Sequence, residues 1–255
     1  MAFEAPQEEP TPENGLPPEC RRADLNSEIQ VQTDWARLLD AEAPISQLEQ
    51  VGEHQVWLVQ GLFSAAECTR LLTAAEGHGF GTTNYPKEYR GNLRLTTMDS
   101  GLADAVWSRL QPLVPETLTL DTTPRYNSRG RLRPRGRAEN LEEWAACGLN
   151  ECWRLAKYHP GDRFHGHCDA DFQRSNSECS MLTVNIYMNE GFDGGATRFY
   201  FENKRTADVV VTPKAGLCLL FRQPPEKLYY HDGQELASGL KYLFRSDVMY
   251  RRQRP

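Results

Sequence analysis

Three of the chain's six histidines fall between residues 159 and 167, in the run Tyr158-His-Pro-Gly161-Asp-Arg-Phe164-His-Gly-His167-Cys-Asp169. The pair His167-x-Asp169 matters most. On an extended strand, residues i and i+2 face the same side, so an imidazole and a carboxylate converge on one point. A third ligand is needed to hold a metal. His231 is the candidate, at the end of the apolar run KLYYH (227–231) and ahead of the turn-forming Asp232-Gly233. Two imidazoles and one carboxylate fill one face of an octahedral ion and leave three positions open. Fe(II) and Zn(II) both accept that set, so the ligands alone do not choose the metal. His159 and His165 read as ordinary surface residues. Cys168 points away from the two ligands that flank it. An H-x-D pair arises by chance in many chains, so its weight depends on the elements around it.

Those elements must fold position 231 back over 167 and 169. The runs 153–159, 181–188, 196–201, 208–212, 217–222, 227–231 and 241–251 are short and β-prone, with Gly, Pro, Asn and Asp clusters between them. Such spacing predicts a sandwich or barrel rather than a doubly wound sheet. Upstream, 55–60 reads as a strand and 33–41 as a short helix. Ser64-x-x-Glu67 is a capping box, and Leu71, Leu72 and Ala75 continue one helical face that stops near Gly77 or Gly79. A second helix covers 102–110 and ends before Pro112 and Pro115. The segment 139–147, ENLEEWAAC, reads as a third helix. Helices first and strands later predict an α+β fold, mainly β, with helices packed on an antiparallel sheet. Trp144, Trp153 and the 199–201 stretch read as core.

Composition narrows the classes. The 255 residues carry 29 Lys+Arg against 35 Asp+Glu, a net charge of -6, and are 39% hydrophobic and 10% aromatic. That is enough apolar material for a core, and it excludes a mostly disordered chain or a coiled-coil rod. The acidic balance weighs against a nucleic-acid partner. No run of about 18 apolar residues is present, so neither a transmembrane helix nor a membrane partner is expected. The first twenty residues lack the basic and apolar regions of a secretory signal. The seven cysteines include no CxxC, which suits reduced thiols and a cytoplasmic or nuclear address. Residues 1–30 read as a disordered, acidic, Pro-rich tail before one domain over 31–255 with its core at 150–250. Residues 125–137 hold six arginines and no acid. This stretch reads as a solvated loop; the sharper reading is a cationic flap over an anionic ligand.

Five spaced elements, in order, carry a resemblance. Tyr158, Gly161, Phe164, His167 and Asp169 fit a Y-x-x-G-x-x-F-x-x-H-x-D signature. Thr183-Val-Asn-Ile-Tyr187-Met-Asn189 is followed by Gly194-Gly195-Ala-Thr197-Arg-Phe199. Val211-Thr-Pro213 leads through Gly216 and Leu219 to Phe221. Then come His231-Asp-Gly233 and, last, Gly239-Leu-Lys241. Together they resemble the prolyl 4-hydroxylase-like branch of the 2-oxoglutarate/Fe(II) dioxygenases. One departure is Gln234-Glu-Leu236, where the family has a proline in the turn after its last histidine.

The resemblance implies a double-stranded β-helix (jelly roll) with N-terminal supporting helices. It implies Fe(II) on His167, Asp169 and His231, with 2-oxoglutarate and O2 as co-substrates and ascorbate as an accessory. Lys241 would pair with the far carboxylate of 2-oxoglutarate. Arg245, four residues on and on the same side of a strand, is the rival cation and reads instead as a structural partner of Asp247 or another acid. Tyr158, Thr183 and Tyr187 would donate hydroxyl hydrogen bonds to the same carboxylate, with Asn185 alternating between the last two on one strand face. A carboxylate at 169 favours hydroxylation over halogenation. The implied substrate is a prolyl residue in a peptide or protein, and the arginine loop leans slightly toward an anionic one. The alternatives are hydroxylation of a free amino acid or other small metabolite, a non-catalytic jelly-roll binding protein, and a metal-dependent hydrolase or isomerase, which would need no lysine at 241.

Overall fold

In the computed structural model, residues 31, 33–83, 85–121, 141–223 and 229–253 are described. Two helices, α1 (Ala65–His78) and α2 (Ser100–Leu110), accompany the strands. In chain order these are β1 (Gln47–Gln50), β2 (Val56–Gln60), β3 (Leu93–Met98), β4 (Thr117–Asp121), β5 (Leu141–Leu149), β6 (Cys152–Tyr158), β7 (Phe164–His167) and β8 (Gln173–Ser175). They continue as β9 (Glu178–Tyr187), β10 (Asp193–Gly194), β11 (Thr197–Phe199), β12 (Val209–Val211), β13 (Cys218–Arg222), β14 (His231–Gly233), β15 (Leu236–Ser238) and β16 (Lys241–Arg252).

A large sheet runs β1-β2-β13-β9-β16. The long β16 then pairs with β6 along its first half and β5 along its second, and β3 and β4 extend those two branches. A smaller sheet, β12-β11-β14-β7, faces it, and every described pairing is antiparallel. This is the mainly-β jelly roll that the resemblance implies.

Strand β9 shows why two layers form. All ten of its residues are buried, yet its sequence alternates. Leu182, Val184 and Ile186 join the apolar core under the helices with Leu71, Val106 and Phe244. Thr183, Asn185 and Tyr187 face the other way, toward the small sheet. A strand buried on both faces can spare polar groups on one of them only where those groups find partners.

The helices are fastened to each other as well as to the sheet. The Ser64–Glu67 capping box is present, and α1 ends at Gly79, as its sequence predicts. Glu67 is fully buried and accepts from Arg109 of α2 through both carboxylate oxygens, at 2.7 and 3.2 Å.

Three local expectations differ. Residues 141–149 form β5 rather than a helix, because pairing with β4 and β16 on either side overrides the helical preference of Glu and Ala. Its Trp144 is core, as expected. The run 33–41 gives only a 3-10 turn, Ala36–Leu38. Of KLYYH, residues 227 and 228 lie outside the described residues, and His231 begins a strand rather than ending one. The 1–30 tail and the arginine run 125–137 also lie outside them. No helix among the described residues is long and apolar enough to cross a membrane.

Candidate active site

The antiparallel register of β7 and β14 sets His167 directly opposite His231. Their ring centroids are 4.4 Å apart. His167 Nδ1 lies 2.8 Å from the carbonyl of His165, and His231 Nδ1 lies 2.9 Å from that of Tyr229. A carbonyl oxygen only accepts, so each Nδ1 carries the proton and donates. Each Nε2 is then left with its lone pair. Both Nε2 atoms turn to Asp169, at 3.5 Å from Oδ1 for His167 and 3.9 Å from Oδ2 for His231. One ligand atom from each of the three residues falls within 4.8 Å of the others. Rings lock the imidazoles: Phe164 stacks on His167 at 3.7 Å, and Phe221 and Phe199 stand 4.7 and 5.4 Å from His231.

Asp169 converges with His167 for a different reason from the expected one. β7 ends at His167, so the two residues do not share a strand face. The carboxylate is drawn across from the large sheet instead. Thr183 Oγ1 donates to Asp169 Oδ2 at 2.7 Å, and Arg245 lies 3.2 Å from Oδ1. Burial alone would raise the Asp169 carboxyl, but the Arg245 guanidinium and the two imidazoles hold it far below the usual carboxylate range. Burial pushes the His231 imidazole down to about 4, which keeps it neutral near pH 7. An ionised carboxylate and two imidazole lone pairs facing one point are the donor set that an octahedral ferrous ion takes. Cys168, just past the end of β7, is exposed.

Lys241 opens β16 beside this centre. Its Nζ donates to the carbonyl of Gly195 at 2.5 Å and lies 5.1 Å from the Tyr158 ring and 5.5 Å from that of Tyr187. Burial pulls its ammonium down to about 7. The Gly194-Gly195 pair does more than turn the chain: a Cβ on Gly194, at φ +77°, would meet the Glu235 carbonyl at 2.3 Å. Only the bare backbone lets Gly195 come against Lys241.

Tyr158 and Lys241 line the cavity in front of the triad. The hydroxyls of Thr183 and Tyr187 are already engaged, Thr183 with Asp169 and Tyr187 with Thr197 at 2.6 Å. Thr183 thus fixes the Asp169 carboxylate, a contact its sequence context did not suggest. Arg245 pairs with Asp169 and Asp247, as expected, and lines the cavity too. Arg90, Arg94 and Arg154 also line it and were not foreseen. Arg154 was legible: it sits four residues before Tyr158 and alternates onto the same face of β6. Arg94 lies on β3, which the sequence reading left unassigned.

Residues 153–245 match the 2OG-Fe(II) oxygenase superfamily. Among solved structures, the chain is similar to a prolyl hydroxylase from Trichoplax adhaerens in complex with a hypoxia inducible factor peptide fragment. The TM-score is 0.50 and the identity 16%, over 77% of this chain and 84% of that one. A viral collagen prolyl hydroxylase from Paramecium Bursaria Chlorella virus-1 aligns at TM-score 0.49 and 17% identity, over 78% and 97% of the two chains. A Pseudomonas putida prolyl-4-hydroxylase gives 0.47 and 17%, over 80% and 95%. At such identities the likeness is one of fold. No curated protein matches the sequence.

Proposed function

We propose that this chain, an Fe(II)- and 2-oxoglutarate-dependent oxygenase by the family match over residues 153–245, hydroxylates an aliphatic C–H of a prolyl residue in a peptide or protein. The observation that carries the reading is the pair of Nε2 atoms turned on one buried carboxylate, His167 and His231 on Asp169. When bound, Fe(II) with 2-oxoglutarate and O2 supplies the oxidising chemistry and releases succinate and CO2. Ascorbate belongs to the proposal as the reductant that keeps the iron ferrous.

The chain's own residues divide the remaining work. His167, Asp169 and His231 hold the ion on one face. Thr183 and Arg245 hold the carboxylate of Asp169 in place, so its geometry does not depend on the loop after β7. Lys241 pairs with the far carboxylate of 2-oxoglutarate, and its ammonium is set between the Tyr158 and Tyr187 rings. Ala156 and Leu243 give the cavity an apolar wall that excludes water from the reacting atoms. The prolyl assignment draws support from the Trichoplax adhaerens enzyme of similar fold, which was captured with a peptide. A cytoplasmic or nuclear address is part of the same proposal, and the scattered cysteines, with no CxxC among them, support it.

The test uses purified protein with Fe(II), ascorbate and 2-oxoglutarate, with and without oxygen. Succinate is measured, and proline-containing peptides are weighed by mass spectrometry. Oxygen-dependent succinate and a gain of one oxygen on proline are expected. Oxygen added to free proline and to no peptide would replace the peptide reading with a metabolite one.

A further inference from the structure

The segment between α1 and β3 packs against the loop after β6. Gly91 N donates to the Arg163 carbonyl at 3.0 Å, and His165 N donates to the Tyr89 carbonyl at 2.9 Å. Beside these contacts lies a second cavity of about 420 Å³, a size common for binding sites and unused by the chemistry above. Arg90 lines both this cavity and the one in front of the triad. Its guanidinium stands 4.4 Å from the Phe164 ring centroid, and that ring stacks on His167 at 3.7 Å. The second cavity thus adjoins the reacting centre, at a span that about two extended residues of a bound chain cover.

Two polar groups in its lining are incompletely engaged. Asp162 is only 3% exposed. Its Oδ2 accepts from the backbone N–H of His159 at 2.8 Å, with the His159 imidazole 3.8 Å away, but its Oδ1 has no hydrogen-bond partner. Burial pushes this carboxyl up, so a donor brought to Oδ1 would offset a standing desolvation cost. Gly91, also in the lining, preserves space beside that oxygen. Its backbone is not in the left-handed region that calls for glycine, yet a Cβ there would lie 2.6 Å from Asp162 Oδ1. Arg90 spends its Nε on Asn92 Oδ1 at 2.9 Å, and its guanidinium pairs with no carboxylate among the described residues. Lys87, the other cation of the lining, is exposed.

An open acceptor and an open fork of donors in one cavity call for a ligand group that both gives and takes hydrogen bonds. A carboxylate would answer Arg90 and repel Asp162. An ammonium would do the reverse, and an alkyl group would strand both. A primary carboxamide carries an acceptor oxygen and two N–H donors on a single carbon. We propose that this second cavity binds a side-chain carboxamide of the substrate, between Arg90 and Asp162, so that the enzyme selects a proline with an Asn or Gln within about two residues of it. The proposal rests on the peptidyl hydroxylase reading and names its substrate class.

The test uses the iron-loaded enzyme and blocked heptapeptides with a central proline among alanines, in which Gln, Glu, Lys or Leu is moved through the two positions on either side. At one of these positions the wild type is expected to favour Gln over the other three by at least about tenfold in kcat/KM, through KM, the worth of a hydrogen bond to a charged group. In Asp162→Asn and in Arg90→Gln the Gln-to-Leu ratio should fall toward one. The ratio is internal to each enzyme, so a loss of stability does not disturb it. No Gln preference at any position overturns the proposal. So does Glu outpacing Gln, which would make the cavity a plain anion site, or a Gln preference kept in either variant. If no peptide gains oxygen, the peptidyl reading fails, and binding alone then judges the cavity. N-acetylglutamine methylamide at about 20 mM should raise the Tm of the wild type more than N-acetylleucine methylamide does, and lose that advantage in Asp162→Asn. Equal shifts by the two amides in the wild type, or an advantage that survives in Asp162→Asn, would overturn the carboxamide site itself.

Discussion

Lys241→Met removes a buried cation that has no carboxylate partner among the described residues, and its consequences can be worked through. The ammonium's fall from 10.5 to about 7 puts the burial penalty on the order of 5 kcal/mol. A 2-oxoglutarate carboxylate brought to Nζ would offset that penalty, which makes Lys241 a strong determinant of co-substrate binding. Truncating one partner of a buried charge pair costs about 2–5 kcal/mol, so the Kd for 2-oxoglutarate should rise at least about thirtyfold. The pH dependence follows with its sign. Above pH 7 the free lysine loses its proton, and binding must take one up. The wild-type Kd should therefore be flat below about pH 7 and climb above it, toward tenfold per unit at the steepest, while the methionine variant stays flat. Stability runs the other way. The unfolded lysine binds its proton more tightly than the folded one, so the ligand-free wild type gains stability as pH rises from about 7 toward 10.5, and Lys241→Met does not. Anaerobic calorimetric titration of the Fe(II) protein between pH 6 and 9, with thermal melts of the same samples, reads both effects. A Kd unchanged in the variant would refute the assignment and pass the carboxylate to Arg245.

His167→Ala and His231→Ala should each abolish iron-dependent succinate formation while keeping the strand-rich circular dichroism of the wild type; near-normal activity in either variant would break the ligand assignment. Thr183→Val removes the donor to Asp169 and should weaken Fe(II) binding about ten- to a hundredfold, with Thr183→Ser restoring it. If Thr183 instead touches 2-oxoglutarate, the valine variant will shift the co-substrate Kd and leave the iron Kd alone. Arg109→Met strands the Glu67 carboxylate at full burial and should cost about 3–5 kcal/mol in urea unfolding. A loss under about 1 kcal/mol would mean that water reaches the pair.

Much of the fold could be read from local signals because those signals and the tertiary packing agree. The Ser64–Glu67 box marks a helix start from local residues alone, and the runs at 181–188 and 241–251 are rich in β-branched or aromatic residues over a length that loops do not keep. Residues 141–149 could not be read, since Glu, Ala and Cys say helix while the decisive contacts are rungs to β4 and β16 at distant sequence positions. The same limit hid Arg94, on a strand with no strong local signal, whereas Arg154 could have been placed on the Tyr158 face by alternation alone. An arginine is ordinarily a solvated residue, and only the register of β3, β6 and β16 shows that two of them stand beside Arg245 over a cavity.

His167, Asp169 and His231 do come together, but not for the reason their spacing offered, and the difference bears on how such a site would work. Spacing put His167 and Asp169 together as neighbours on one strand. In the fold they belong to different supports. The two imidazoles are fixed within the small sheet by facing register, by carbonyl acceptors at 165 and 229, and by packed rings. The carboxylate is moored to the large sheet by Thr183 and Arg245. An ion seated on all three side chains therefore ties the two sheets to each other. Whatever acts on Thr183 or Arg245 would therefore reach such an ion through Asp169.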